Sequence, residues 1–294
     1  MPLHRKVKEE IKVSFLFLFP TLLLIIIVAV YPLIYSFFLS FTQWNLISMP
    51  SPIFVGLNNY QYIFVDSLFK LSVIKTVYFL AVTIPTTILL SFSFALILNY
   101  KKFKGRSVYL GLLIIPWAMA PVVNAVQWRW IFNAKFGIFN YILYKLGIIK
   151  EYLLIFDDPT MSLLAVSTAE IWKAIPFITL LFLAGLSGID PSLYEAAMVD
   201  GAGLINRFNY ITLPLMKRVL MMATTLQIIW SIQAFDTIYV MTKGGPANQT
   251  MFINYYVWRV AFEQLNLGYA STLAYIVLFI SLIVAIVYIK LVQV

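Results

Sequence analysis

Long apolar stretches alternate with short polar connections along the whole chain. Six stretches, 15–41, 73–98, 108–132, 161–186, 215–240 and 269–292, are long enough to be membrane spans, because about 20 mostly apolar residues cross about 30 Å of hydrocarbon. None shows the two-residue alternation of a barrel strand, so the pattern predicts an all-α integral membrane protein with about six transmembrane helices. Prolines 20, 32, 85, 116, 121 and 176 fall inside these stretches. Prolines are tolerated in spans where neighbouring groups satisfy the freed carbonyls, and their number here predicts kinked helices around a pathway. The first stretch is too long for the apolar core of a cleavable signal, and no small-x-small site follows it, so it reads as a permanent anchor.

Composition agrees. Of 294 residues, 62% are apolar or aromatic and 11% charged, with a mean hydropathy of +0.90; soluble domains have about 25% charged residues. The chain has no cysteine, which excludes thiolate metal sites and cysteine nucleophiles. Its one histidine, His4, lies in the polar N-terminal tail, away from any cluster that would bind metal or catalyse.

The net charge of +9 follows topology. Twelve of the 21 lysines and arginines cluster in the tail (Arg5, Lys6, Lys8, Lys12), the second-to-third connection (Lys101, Lys102, Lys104, Arg106), the fourth-to-fifth connection (Arg207, Lys217, Arg218) and at Lys290. The positive-inside rule places these segments and both termini in the cytoplasm, so the excess is not a nucleic-acid patch. The outer connections 42–72 and 133–160 are rich in aromatics. Residues 254–263 read as a short amphipathic helix in the interface, where Tyr and Trp favour the headgroup level.

Within the inner loop 185–214, Asp190-Pro191 has the form of an N-cap followed by a first-turn proline. A helical run from Leu193 to Val199 follows, stopped by left-handed Gly201 and Gly203. A second short helix over 204–211 is expected to break before Leu213-Pro214. Small residues Ala196, Ala197 and Ala202 on one side permit close approach by another helix or protein. Spacing alone fits a plain surface connector equally well.

Glu195-Ala196-Ala197-x-x-Asp200-Gly201-Ala202, followed by Ile211-Thr-Leu213-Pro214, resembles the EAA motif of the permease subunits of binding-protein-dependent ABC importers. The segments Pro116-Trp117-Ala…Trp128-Arg-Trp130-Ile-Phe-Asn133…Phe136-Gly137 and Phe235-Asp-Thr-Ile-Tyr-Val-Met-Thr-Lys-Gly-Gly-Pro246 resemble the sugar branch, the maltose-type and glycerol-phosphate-type permeases. Gly56-Leu-Asn-Asn-Tyr60, Glu170-Ile-Trp172…Pro176-Phe177 and Gly268-Tyr-Ala-Ser271 also fit, so the resemblance runs over nearly the whole chain. It implies a cytoplasmic tail over 1–13 and a type I importer transmembrane domain over 14–294. The EAA loop would dock on a separate cytoplasmic ATPase, Glu195 by a charge-assisted contact and Gly201 through its tight turn, with Ala196, Ala197, Asp200, Leu213 and Pro214 completing the motif. The partners implied are a second permease, expected to be a different chain in this branch, an ABC ATPase dimer, an extracytoplasmic solute-binding protein and the bilayer of a bacterial or archaeal plasma membrane. No cofactor is expected in this chain, with ATP and Mg bound by the ATPase; no Gly-x-x-x-x-Gly-Lys-Ser/Thr segment occurs here. The sequence departs from the family pattern at Lys217-Arg218, where many members have a second proline, and at Lys75-Thr76, where an Asn-Thr pair is common. The first outer loop is too short for the large outer domain of some maltose permeases.

For the pathway, Glu170 and Lys173 are the charges well inside a span, one helical turn apart. They fit either a self-neutralised pair that orients the helix or a pair lining a polar route for a hydroxyl-rich solute. Trp117, Asn124 and Gln127 on the third span, and Gln227, Ser231 and Asp236 on the fifth, add a ring, amides, a hydroxyl and an acid. In maltose-type permeases the equivalent faces form the sugar site. Each amide fits interhelical glue as well. Import of another polar solute such as glycerol-phosphate is the alternative. A secondary transporter fits less well, since no inverted repeat or isolated relay acid is visible.

Overall fold

The computed structural model describes residues 15–100 and 105–293. The basic residues of the tail and Lys101, Lys102 and Lys104 lie outside the described residues, as does His4. Twelve helices account for nearly all regular structure among the described residues: α1 (Phe15–Ser40), α2 (Asn58–Tyr62), α3 (Ser67–Asn99), α4 (Arg106–Ala118), α5 (Pro121–Ile131), α6 (Ile138–Lys145), α7 (Pro159–Ser187), α8 (Pro191–Val199), α9 (Leu204–Ile232), α10 (Asp236–Met241), α11 (Ile253–Trp258) and α12 (Leu267–Gln293). Among them α1, α3, α7, α9 and α12 are long and apolar enough to cross a membrane, and α4 with α5 forms a sixth span if the bent pair counts as one. The fold is the expected all-α membrane architecture.

Two π-helical turns show how the spans accommodate proline. In α1 the turn Ile26–Val30 ends two residues before Pro32, and in α9 the turn Phe208–Thr212 ends two residues before Pro214. Proline lacks an N–H and its ring collides with the carbonyl four residues back. A wider turn just upstream relieves both problems. The expected break before Leu213-Pro214 is therefore absent: α9 continues from Leu204 through Pro214 to Ile232. It stops earlier than the predicted fifth stretch, since Gln233, Ala234 and Phe235 leave the helix before α10 begins. The third stretch is likewise not one rod. It bends by 97° between α4 and α5, at Met119-Ala120, with Pro116 in the last turn before the bend and Pro121 in the first turn after it.

The chain divides into two compact units. One comprises the residues up to Asp66 with Val257–Ile276, and the other Ser67–Tyr256 with the chain from Val277 onward. In the first unit, α1 leads into a short antiparallel hairpin in which Thr42 pairs with Phe54 and Gln43 with Ile53. Two motif segments converge on it. Asn59 Nδ2 donates to the Ser40 and Thr42 carbonyls, and Tyr60 Oη shares a hydrogen bond with Ser40 Oγ. Gly268 passes so close to Thr42 and Trp44 that a Cβ would collide with the Thr42 carbonyl, and Thr272 Oγ1 donates to Ser40 O at 2.9 Å.

In the second unit, α3 presents a buried stripe of Ser72, Thr76, Thr83, Thr87, Ser91 and Ala95, interrupted by the fully buried Phe79. Small side chains let helices approach closely in lipid, where no hydrophobic force drives helix against helix. Ser91 Oγ donates across to Ile175 O of α7 at 3.2 Å. Next to this stripe Leu98, Ile178, Phe182, Leu186, Met216 and Ala223 form the apolar core of α3, α7 and α9. Asn133 Oδ1 caps the backbone N–H groups of Lys135 and Phe136, and Gly137 follows where a Cβ would strike the Ile131 and Asn133 backbone.

The aromatic segment expected as an interface helix is helical over Ile253–Trp258 and packs into the protein. Tyr255 and Tyr256 are buried, and Tyr255 stacks on Phe235 with ring centroids 6.1 Å apart. Backbone anchoring explains it: Ile253 N–H donates to buried Thr76 Oγ1 at 2.9 Å, which fixes the start of α11.

Candidate functional site

The breaks at 119–120 and 233–235 meet at a cavity of about 480 Å³. Its walls come from Trp117, Met119 and Pro121 at the first break, Glu170, Lys173 and Ala174 on α7, and Gln227, Trp230 and Ser231 of α9. Gln233, Ala234, Phe235 and Asp236 of the second break complete the lining. Irregular backbone at membrane depth is tolerated where it lines a cavity or is buried in protein. That condition is met in part at both breaks, whose residues Met119 and 233–235 line the cavity.

Three side-chain hydrogen bonds clamp α5, α7 and α10 into one body. Asn124 Nδ2 donates to Ala169 O at 3.1 Å, Arg129 donates to Val240 O at 2.8 Å, and Thr237 Oγ1 donates to Glu170 Oε1. The last contact changes the expected pairing. Glu170 is held by Thr237 and makes no direct ion pair with Lys173, although both line the same cavity. Tertiary geometry supplies a hydroxyl from α10 at a position no helical spacing along α7 could announce. Phe177 lies between two cavity tryptophans, with centroids 5.2 Å from Trp117 and 5.2 Å from Trp230.

Of the residues expected along a pathway, Trp117, Glu170, Lys173, Gln227 and Ser231 are brought together, with Asp236. Gln227 is buried and its Nε2 donates to Ser231 Oγ at 3.1 Å. Asn124 and Gln127 do not line the cavity: Asn124 is fully buried against α7, and Gln127 is exposed on α5. Sequence reasoning misses Met119, Trp230, Gln233, Phe235 and Thr237. Trp230 has a signal, standing three residues after Gln227 on the same helix face.

A second cluster lies on the loop 185–214. Asp190 caps α8, its carboxylate accepting the Ser192 N–H at 2.9 Å, and this hydrogen bond holds the carboxyl below the usual aspartate range. Gly201 ends the helix at φ +77°, with Gly201 N–H bonded to Met198 O and Ala202 N–H to Ala197 O, a Schellman closure. Gly203, expected to be left-handed as well, is extended, because the closure needs one such residue. α8 is tied to α9 through Tyr194 Oη and Thr212 Oγ1, 2.9 Å apart, inside the π-helical turn. Glu195, Ala196 and Asp200 are exposed, Ala197 half-buried, and Leu213 and Pro214 exposed on α9. Around them stands an apolar surface that the motif does not reveal: Val199 is 88% exposed, Leu204 78% and Tyr210 79%.

Residues 72–292 match the family model described as binding-protein-dependent transport system inner membrane component. The chain belongs to this family. As a permease, it is 38% identical over 260 residues to the trehalose/maltose transport system permease protein MalF of Thermococcus litoralis, covering 88% of this chain and 85% of that one. It is 35% identical to the sulfoquinovosyl glycerol transport system permease protein SmoG of Agrobacterium fabrum, over 95% of this chain and 89% of that one. Its fold is shared with a chain of a bacterial ABC transporter that imports the acidic polysaccharide alginate, at a TM-score of 0.83 and 19% identity, covering 100% of this permease and 99% of that chain.

Proposed function

We propose that this permease forms the membrane pathway of an ATP-driven importer for a sugar or oligosaccharide handed over by an extracytoplasmic solute-binding protein. The cavity at the paired helix breaks carries the reading, because its composition suits a hydroxyl-rich ligand. Tryptophan rings offer flat apolar faces, and two carboxyl groups, a lysine, two amides and a hydroxyl offer hydrogen bonds. The names of two relatives, a trehalose/maltose and a sulfoquinovosyl glycerol permease, support the substrate class.

In this reading Glu195, Ala196, Ala197, Asp200, Gly201, Leu213 and Pro214 form the docking element for a separate ATPase dimer that binds ATP and Mg. The exposed apolar residues around them support it, since such a patch marks a protein-interaction surface. The Tyr194–Thr212 contact then transmits ATPase closure to α9, which reaches the cavity at Gln227. A second, non-identical permease completes the pathway. The chain lies in a bacterial or archaeal plasma membrane with its 1–13 tail and 14–294 domain arranged so that both termini and the loop are cytoplasmic.

The test is co-reconstitution with the partner permease, ATPase and binding protein in proteoliposomes. ATP-dependent sugar accumulation that disappears when the ATPase is omitted is the expected result. Accumulation driven by an ion gradient without ATP sinks the reading. In whole cells, a cysteine replacing Ile205 should resist impermeant thiol reagents while one replacing Ala247 reacts; labelling at 205 from outside overturns the orientation.

A further inference from the structure

We infer that the cavity admits uncharged sugars and turns away anionic ones; this rests on the sugar reading above and narrows it. Among the described residues, three ionisable side chains line the cavity, the acids Glu170 and Asp236 and the base Lys173. On the wall that this chain contributes, one ammonium set against two carboxyl groups leaves no net positive charge to hold a carboxylate, sulfonate or phosphate.

The placement of the charges matters as much as their number. Glu170 is tethered by the Thr237 hydroxyl, which favours its carboxyl group staying at the cavity wall. Lys173 is one helical turn further along α7 and lines the same cavity as Glu170, so an anion drawn to its ammonium enters a space it shares with that acid. A cavity walled by low-dielectric protein screens such repulsion far less than bulk water does. For a neutral sugar the same groups act as hydrogen-bond partners: the carboxyl oxygens accept from hydroxyls and the amine nitrogen donates to them. Trp117 and Trp230 provide the stacking faces, neither of which requires charge on the ligand. The chemistry therefore disfavours glycerol-phosphate, sugar phosphates and uronates as cargo.

The experiment measures equilibrium binding to the purified permease–ATPase complex without the binding protein, whose own selectivity would mask the cavity's. Radiolabelled maltose, trehalose and cellobiose are compared with the corresponding 6-phosphates and uronates. Neutral disaccharides should bind at least roughly tenfold more tightly than their anionic counterparts, a difference a single uncompensated charge readily supplies. The double variant Glu170→Gln with Asp236→Asn leaves Lys173 as the remaining charge and should shrink or reverse that ratio. The substituted glutamine keeps an amide oxygen to accept from Thr237, which preserves the clamp. Lys173→Gln should widen the ratio. Equal or tighter binding of the anionic sugars by the unaltered complex overturns the inference while leaving the sugar reading standing, as does a ratio indifferent to all three substitutions. Failure of every sugar, neutral or anionic, to bind or be transported overturns the sugar reading itself and this inference with it.

Discussion

Glu195 on α8 and Glu170 on α7 are both acids on helices of the same unit, yet their surroundings are opposite. Glu195 is exposed, on a helix held to α9 by the Tyr194–Thr212 contact and bounded by a capped start and a Schellman stop. Glu170 is half-buried, bonded to Thr237, and sits within a body clamped by Asn124 and Arg129. The loop has its internal structure completed locally and leaves most of its motif residues exposed, with Ala197 half-buried. The cavity's Glu170 is held by Thr237 of another helix, so its geometry depends on helices distant in sequence. Loop substitutions should therefore spare the fold and abolish work, whereas cavity substitutions should disturb fold and work together.

The largest expected effect breaks the loop alone. Glu195→Lys, and separately Gly201→Val, should lower ATP-dependent uptake by roughly tenfold or more, the size of a lost coupling interaction. Thermal unfolding should move little for Glu195→Lys. Gly201→Val adds a local strain of about 1–2 kcal/mol, because valine resists positive φ; nothing lies within 4 Å of the added Cβ, so no clash contributes. Normal uptake in both variants at normal expression makes the loop a connector and erases the contrast.

A smaller effect is expected from Thr237→Val, which keeps shape and removes the donor to Glu170. Destabilisation of about 1 kcal/mol, typical of interhelical hydrogen bonds in membranes, should show in thermal unfolding, with weakened sugar binding. Thr237→Ser should restore both. An unchanged melting temperature together with unchanged binding means the clamp does not organise the cavity.

The smallest effect concerns Asp190. Its carboxyl is held below the ordinary range by the Ser192 N–H, so the cap is fully present above about pH 4 and is lost as pH falls through the lowered value. Amide exchange at the start of α8, corrected for intrinsic rates, should stay flat on acidification down to about pH 4 and rise only below it, as expected of an aspartate lowered from its usual value. Asp190→Asn should flatten that rise while keeping the cap. A protonation-insensitive α8 in the native chain removes Asp190 from the account of the loop's local order.

The spans, the α8 cap at Asp190-Pro191 and the Gly201 stop are legible because each depends on a contiguous run of residues. The two helix breaks are legible only in part. Pro116 and Pro121 announce trouble in the third stretch, but proline permits both a gentle kink and the 97° bend. Nothing local marks 233–235, where Gln-Ala-Phe is compatible with helix. Proline usually ends a helix, which is why a break is expected before Pro214, and a π-helical turn absorbs it instead. Residues Trp117, Gln227 and Ser231 are identifiable as polar or aromatic positions within spans. The division between Gln227, which lines the cavity, and Asn124, which bonds a neighbouring helix, is not.

Sequence by itself determined the solvent, the element type and the family, since hydrocarbon demands long apolar helices and the EAA-like segment is a contiguous string. Tertiary structure alone decided what Glu170 bonds to, which faces enclose the cavity and where the spans part. Those outcomes turn on contacts between residues such as Glu170 and Thr237, 67 positions apart. A hydrogen bond in a dry interior is satisfied by whichever donor packing brings within reach, and packing is a property of the assembled helices.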